Sequence, residues 1–148
     1  MKILVINGPN LNMLDKRDKT LYGDLSLETI EKMLKKEYSD VKFEFYQSNI
    51  EGEIVEQIQK SPDYFDGILI NPAAYSHTSV AIRDALEICK LPKVEVHLSN
   101  IADREEFRKT SITAAKCNGY LSGFQEYSYL GGMYILKKLV EKQKGYKG

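Results

Sequence analysis

The 148-residue sequence lacks any long run of apolar residues. Its longest stretches of this kind, such as residues 3–6 and 68–70, are far shorter than the about 20 residues that a membrane-spanning helix needs. The first residues enter such a stretch directly, without the charged and then long apolar pattern of an export signal. We therefore expect a protein of the cytoplasm.

Cysteine is scarce, and neither sign of charge is in excess. The only two cysteines, Cys89 and Cys117, lack the spacing of a metal site, and we expect reduced buried thiols rather than a disulfide. Basic and acidic residues number 21 each, which gives no electrostatic reason to expect nucleic acid or membrane as a partner. No RNA- or DNA-binding motif is present either. The composition is that of an ordinary globular protein.

What the sequence does contain is a regular alternation of apolar runs and helical patterns. This order predicts an α/β fold with a parallel sheet covered by helices on both faces. Five strands suit a doubly wound, flavodoxin-like arrangement. Without a linker or repeat, residues 1–148 are expected to form a single catalytic domain, with 144–148 as a frayed tail. The candidate strands are 2–7, 42–47, 67–71, 93–97 and 119–123, and the candidate helices are 26–38, 51–60, 77–90, 103–109 and 125–142.

Polar residues follow the carboxyl ends of the predicted strands, where ligands bind in open parallel sheets. Both histidines of the chain, His77 and His97, lie at or just beyond such an end. Asparagine and serine are common turn and cap residues, so each end alone could be structural. Their convergence on one rim favours a site. The ends read Asn7-Gly8-Pro9-Asn10, Gln47-Ser48-Asn49, Asn71-Pro72 and His97-Leu98-Ser99-Asn100.

The fourth strand carries a carboxylate where an apolar residue is expected. Because side chains alternate along a strand, Glu95 and His97 point to the same face. A carboxylate in a central parallel strand is costly unless it is paired. Glu95 could therefore hold one ring nitrogen of His97, as orienting carboxylates do in acid–base catalysis. An edge strand with a solvated Glu95 is the alternative, and the pattern alone does not separate the two.

The helix after the third strand offers a second candidate feature. Ser76 or Thr78 could cap it, and its free N–H groups could bind a carboxylate. Asp84 lies two turns along the predicted helix from His77, on the same stripe. Taken alone, His77 is more often structural, and Asp84 could equally be solvated or pair with an arginine.

Residues 11–25, between the first strand and the first predicted helix, have the composition of a solvated loop. The loop leaves the ligand rim, however, so it could close over a site as a lid. Arg17 could then lie near the hydroxyl of Tyr22.

Six segments, in order and at family-like spacing, resemble the type II 3-dehydroquinate dehydratases, also called type II dehydroquinases. No single segment is specific, but six in register are. The lid departs from the family pattern at Asp15 and at Asp18-Lys19. The segments are INGPNLN (6–12), Arg17 with Tyr22-Gly23, QSN with EGE (47–53), INPAAYSHTS (70–79), VEVHLSN (94–100) and REEFR (104–108).

The resemblance implies a hydro-lyase of the shikimate pathway that needs no cofactor or metal. Tyr22 would be the base, with its pKa lowered from about 10 by the permanently charged Arg17. His97, oriented by Glu95, would be the acid, and Asn10 would help to stabilise an enolate. The resemblance further implies a homododecamer built from trimers, with Asp84 completing a neighbouring subunit's site. The substrate would be held by Asn71, His77, Leu98, Ser99 and Arg108.

The main alternative is a catalytically silent module that binds a small polyhydroxy acid with the same rim. Binding alone does not require a base and an acid, so the presence of Arg17, Tyr22, Glu95 and His97 together argues for an enzyme. A phosphate-binding flavodoxin is disfavoured because the first loop offers Pro9 and few free N–H groups.

Overall fold

Five parallel strands form the centre of the molecule. The computed structural model describes residues 1–22 and 25–145, with the side chains of Leu21 and Tyr22 outside that description. The strand order is β2-β1-β3-β4-β5, and every neighbouring pair is parallel. The predicted flavodoxin-like α/β fold is therefore confirmed. The strands are β1 (Lys2–Asn7), β2 (Lys42–Gln47), β3 (Gly67–Asn71), β4 (Lys93–His97) and β5 (Gly119–Ser122).

Helices cover both faces of this sheet. Alternate residues of β1 pack in opposite directions: Ile3 contributes to the core beneath α2 and α5, and Leu4 to the core beneath α3 and α4. Burial on both faces explains why the central strands read as nearly continuous apolar runs. None of the described helices is both long and apolar enough to cross a membrane. The helices are α1 (Lys19–Tyr22), α2 (Leu27–Glu37), α3 (Glu51–Lys60), α4 (Val80–Ile88) and α5 (Glu126–Gly145).

The predicted helix at 77–90 starts three residues later than expected. The cap is Ser79, whose hydroxyl accepts a hydrogen bond from the Ile82 N–H at 2.9 Å, rather than Ser76 or Thr78. His77 ends a short 3₁₀ turn, Ala73–His77, so it does not share a helical stripe with Asp84. The Ser76 hydroxyl instead bonds the Ala73 carbonyl within that turn.

One other sequence prediction is wrong. The proposed helix at 103–109 is two 3₁₀ turns, Ile101–Asp103 and Glu106–Arg108, because extended backbone at Arg104 separates them. Helix α5 extends into the segment 144–148 that was expected to be a frayed tail and ends at Gly145. Lys144, in this last turn, pairs with Asp66 just before β3 at 3.1 Å. Residues 146–148 lie outside the described residues.

Gly8 allows the first and third strand ends to approach closely. Its amide donates to the Asn71 carbonyl at 2.8 Å, and a Cβ at this position would lie 2.4 Å from the Pro72 carbonyl oxygen. We expect Gly8→Ala to lower the free energy of unfolding by about 1–3 kcal/mol, because backbone must shift to admit the methyl group. Denaturant unfolding measures this change.

Gly52→Ala is the matched control for that substitution. Gly52 lies in α3, where an added Cβ would meet nothing within 4 Å. Alanine is also the better helix former, so the protein should gain about 0.5–1 kcal/mol. Equal effects at the two positions would contradict the close approach at Gly8.

Candidate active site

A cleft opens at the carboxyl ends of β1, β3 and β4, beside the point where the strand order reverses. This is the place where open parallel sheets bind ligands. The cleft and its mouth enclose about 520 Å³. Most of the predicted site residues meet here, although they come from distant parts of the chain. The predicted residues that line it are Asn10, Arg17, Asn71, His77, His97, Leu98, Ser99 and Arg108.

The floor of the cleft is a buried chain of hydrogen bonds. The hydroxyl of Tyr129 donates to Asn7 Oδ1 at 2.6 Å and accepts from Asn71 Nδ2 at 3.0 Å. Burial raises the pKa of Tyr129, so its hydroxyl keeps the proton that it donates. Asn71 Oδ1 accepts from the Ala73 N–H at 3.0 Å. With its oxygen engaged, Asn71 has its second Nδ2 hydrogen left to offer a ligand.

The turn after β1, which forms one side of the cleft, is hydrogen-bonded to the end of β2. Asn10 adopts the left-handed conformation, with φ of 68°, and its N–H donates to Asn49 Oδ1 at 2.9 Å. Gln47 Nε2 donates to the Gly8 carbonyl at 3.2 Å. These bonds hold the turn after β1 and leave the exposed side chain of Asn10 at the cleft.

His97 is held by Glu95, as the alternation of β4 predicted. Its Nε2 lies 2.8 Å from Glu95 Oε2, and Glu95 is 0% exposed. β4 lies between β3 and β5, so the alternative of an edge strand with a solvated Glu95 is wrong. A carboxylate accepts hydrogen bonds, which places a proton on Nε2 and leaves Nδ1 as the ring nitrogen available to a ligand.

His77 is held through the other ring nitrogen, Nδ1. Its Nδ1 lies 2.8 Å from the Thr110 carbonyl oxygen, which can only accept, so Nδ1 carries the proton. Burial is the main cause that lowers the pKa of His77, and the nearby His97 and Arg108 add to this. A neutral His77 therefore presents Nε2 as an acceptor for a ligand hydroxyl. The two imidazole rings stack with centroids 6.3 Å apart.

Positive charge dominates the wall of the cleft. Arg17, Arg104 and Arg108 line it, and none of the lining residues that the structure describes is acidic. Arg108 donates a hydrogen bond to Glu105. Glu105 is exposed and does not line the cleft, so its charge lies outside it. This arrangement suits a ligand that carries a carboxylate.

The described part of the candidate lid, residues 11–22, contains two short helical segments. Residues Leu11–Lys16 form a 3₁₀ turn that buries Leu11 and Leu14 in the core. Asp18 accepts from both the N–H and the hydroxyl of Thr20 at the start of α1. This bonding lowers the pKa of Asp18, so a residue that departs from the family pattern serves here to begin a helix.

Three predicted residues do not line the described cleft. Glu95 is buried behind His97 and reaches the cleft only through that histidine. Asp84 lies on α4 with a side chain that is 57% exposed, and its nearest charge is Arg83 at 3.6 Å. Tyr22 is the last residue of α1, and its side chain lies outside the described residues. Its predicted role as the base therefore stays a prediction.

Four residues at or behind the cleft were missed by reasoning from the sequence. Arg104 lies within a segment that carries the family resemblance, so that segment was the available signal. Tyr129 looked like an ordinary apolar position of α5. Ser111 and Thr113, which both bond Glu95, follow no recognisable pattern because they lie between elements.

Comparison with known proteins gives consistent relatives over nearly the whole chain. The family model described as dehydroquinase class II matches residues 1–137. The 3-dehydroquinate dehydratase of Thermotoga petrophila is 54% identical over 144 residues, covering 96% of this chain and 99% of the relative. That of Aliarcobacter butzleri is 53% identical over 146 residues, covering 97% and 89%. The crystal structure of type II dehydroquinase from Butyrivibrio crossotus aligns with a TM-score of 0.90 and 45% identity, covering 93% and 97%.

Proposed function

The chain belongs to the class II dehydroquinase family, and from this membership we infer that it is a hydro-lyase that converts 3-dehydroquinate to 3-dehydroshikimate and water. That reaction belongs to the shikimate pathway, which leads to chorismate and the aromatic amino acids. The single observation that carries the inference to this chain is the cleft, where a carboxylate-bound His97 faces a cationic wall. A silent binding module is not favoured, since the relatives of this chain are named as enzymes.

The substrate is a ring with a carboxylate, hydroxyl groups and a ketone, and the cleft offers a partner for each charged or polar group. We propose that Arg108 and the backbone N–H groups of Leu98 and Ser99 bind the carboxylate. His77, through Nε2, and Asn71, through its remaining Nδ2 hydrogen, would bind ring hydroxyls. Both side chains are already fixed by Thr110 and Tyr129, so little rotational freedom is lost on binding.

The first chemical step is removal of a proton from the carbon beside the ketone. In our proposal the base is the phenolate of Tyr22, stabilised by the guanidinium of Arg17, which lines the cleft five residues earlier in the chain. The electron pair of the broken C–H bond forms an enolate. Asn10 would stabilise the enolate oxygen, through a water molecule, and such donors contribute about 3–4 kcal/mol each.

The second step expels the hydroxyl group. The enolate collapses, the C–O bond breaks, and the leaving oxygen takes the Nδ1 proton of the His97 imidazolium and departs as water. Glu95, buried against Nε2, keeps the ring oriented and stabilises its protonated form. Base and acid on opposite faces of the ring give an anti elimination. The scheme assigns every proton to a side chain and involves no cofactor or metal.

The test of this function is the appearance of product. The conjugated enone of 3-dehydroshikimate absorbs in the ultraviolet, so absorbance should rise when the purified protein meets 3-dehydroquinate. Calorimetry on the same sample should detect binding. Binding by folded protein without any rise in absorbance would favour the silent module instead.

We also propose that the chain works in the cytoplasm as a homododecamer built from trimers. Cys89 and Cys117 are both unpaired in the structure, as expected in a reducing compartment. Val80 and Ile88, on the same helix as Asp84, are 58% and 71% exposed. Apolar side chains left open in this way suit a face that another subunit covers. Light scattering measures the assembly.

Asp84 would then act on a neighbouring subunit's substrate, which predicts complementation. Asp84→Ala and His97→Ala homo-oligomers should each be poorly active. Hybrids formed by mixing the two should regain activity, because some sites then combine an intact His97 with an intact Asp84. Glu87→Ala, on the same helix, is the control that should stay active and give no complementation. Equal activity of hybrids and the unmixed variants would contradict a role of Asp84 in a neighbouring subunit's site.

A further inference from the structure

Glu95 receives more hydrogen bonds than its pairing with His97 requires. The Ser111 hydroxyl donates to Glu95 Oε2 at 2.6 Å, and the Thr113 hydroxyl donates to Oε1. Ser111 Oγ in turn accepts from the Ala114 N–H at 3.1 Å, which fixes the direction in which its own proton points. Both carboxylate oxygens of a 0% exposed residue are therefore engaged by donors.

The same short segment also holds the other histidine. The Thr110 carbonyl accepts from His77 Nδ1, and the Ile112 N–H donates to the Ser76 carbonyl at 2.8 Å. We define residues 110–113 as the bridging segment. Its backbone faces the turn that carries His77, and its two alternate hydroxyls face the carboxylate beneath His97.

We propose that the bridging segment positions the two histidines of the site together, with Ser111 and Thr113 as positioning residues for the acid. The inference rests on the proposed function and deepens it. Thr110 fixes the tautomer of His77, and the two hydroxyls fix the rotamer of Glu95, which fixes the tautomer of His97. The bridging segment thus positions both stacked rings, His77 directly and His97 through Glu95.

Burial explains why both hydroxyls are needed. A carboxylate that is closed off from water must find its partners within the protein, or it is costly in its charged form. His97 supplies one donor only, to Oε2. Without Ser111 and Thr113, Glu95 would turn toward other donors, and His97 would no longer present Nδ1 alone to the substrate.

Removal of the two hydroxyls tests this role. Ser111→Ala and Thr113→Val should each lower kcat by about 10-fold, and the double variant by about 100-fold, because each removes a hydrogen bond to a charged group. A 10-fold change corresponds to about 1.4 kcal/mol in the activation barrier. KM should change by less than about 3-fold, because neither hydroxyl lines the cleft. Thr113→Ser keeps the hydroxyl and should restore most of the rate.

A spectroscopic readout and a control separate positioning from mere support of the fold. The ¹⁵N NMR spectrum of His97 in its neutral form should show one tautomer, protonated at Nε2, in the parent and a mixture of the two tautomers in the double variant. Thr29→Val removes the capping box of α2 with Ser26, so it should lower stability without changing kcat of the folded protein. Should the double variant fail to fold, the test uses the single variants. Ser111→Ala is then compared with the parent, and Thr113→Val with Thr113→Ser.

The outcomes distinguish this inference from the function on which it rests. A parent protein that does not turn over 3-dehydroquinate overturns the proposed function itself. An active parent whose Ser111→Ala and Thr113→Val variants keep both kcat and the single His97 tautomer overturns only the bridging segment. A loss of kcat with an unchanged tautomer also contradicts it, because the effect would not pass through His97.

Discussion

Replacing Tyr22 with phenylalanine is expected to lower kcat by at least about 10²–10⁴-fold, the contribution of a positioned general base. The substitution removes one oxygen, so the fold and the affinity for 3-dehydroquinate should be nearly unchanged. Circular dichroism and calorimetry check those two properties, and the enone assay measures the rate. Tyr22 is the last residue of α1, and Arg17, two residues before the start of that helix, lines the cleft.

Tyr64→Phe is the matched control. Tyr64 is 66% exposed and lies beside Lys2, at the opposite end of the sheet from the cleft. The same loss of a hydroxyl there should leave kcat unaltered. A Tyr22→Phe enzyme that turns over at a rate close to that of the parent would remove Tyr22 from the role of base.

Replacing His97 with alanine is expected to lower kcat by a similar factor, about 10²–10⁴-fold, because the leaving hydroxyl loses its proton donor. The first step does not use His97 in our scheme. Tyr22 should therefore still remove the proton and return it, so that the substrate exchanges hydrogen for deuterium in D₂O without losing water. Proton NMR of 3-dehydroquinate follows this exchange.

Glu95→Gln separates the charge behind the histidine from the histidine itself. Glutamine keeps the shape but not the charge, so kcat should fall strongly while exchange persists. Tyr22→Phe should abolish exchange together with elimination. Loss of exchange in His97→Ala, or its persistence in Tyr22→Phe, would contradict the assignment of acid and base.

The fold could be predicted closely because burial on both sheet faces gives a strong local signal. Strands such as β1 and β3 consist of apolar residues bounded by polar ones, and their observed limits coincide with the predicted ones. Helix ends depend on a single hydrogen bond. Ser76, Thr78 and Ser79 all carry a hydroxyl, and only the path of the backbone decides that Ser79 bonds the Ile82 N–H.

The candidate site was predictable where chemistry conflicts with location. A buried carboxylate in a central strand is costly unless it is paired. Because side chains alternate along β4, His97, two residues from Glu95, was the predicted partner. Tyr129 and the bridging segment gave no such signal, because their contacts join residues far apart in sequence. The Asn7–Tyr129 bond spans 122 positions, and Thr113 reaches Glu95 across 18. Long-range contacts of this kind appear only once the chain has folded.

A crystal structure of the Tyr22→Phe enzyme with 3-dehydroquinate bound tests the central claim most directly. The account predicts the substrate ring in the cleft, with residue 22 and Arg17 on one face and the Nδ1 of His97 within hydrogen-bond distance of the leaving hydroxyl on the other. A bound ring that contacts His97 while residue 22 and Arg17 stay remote from it would contradict the mechanism.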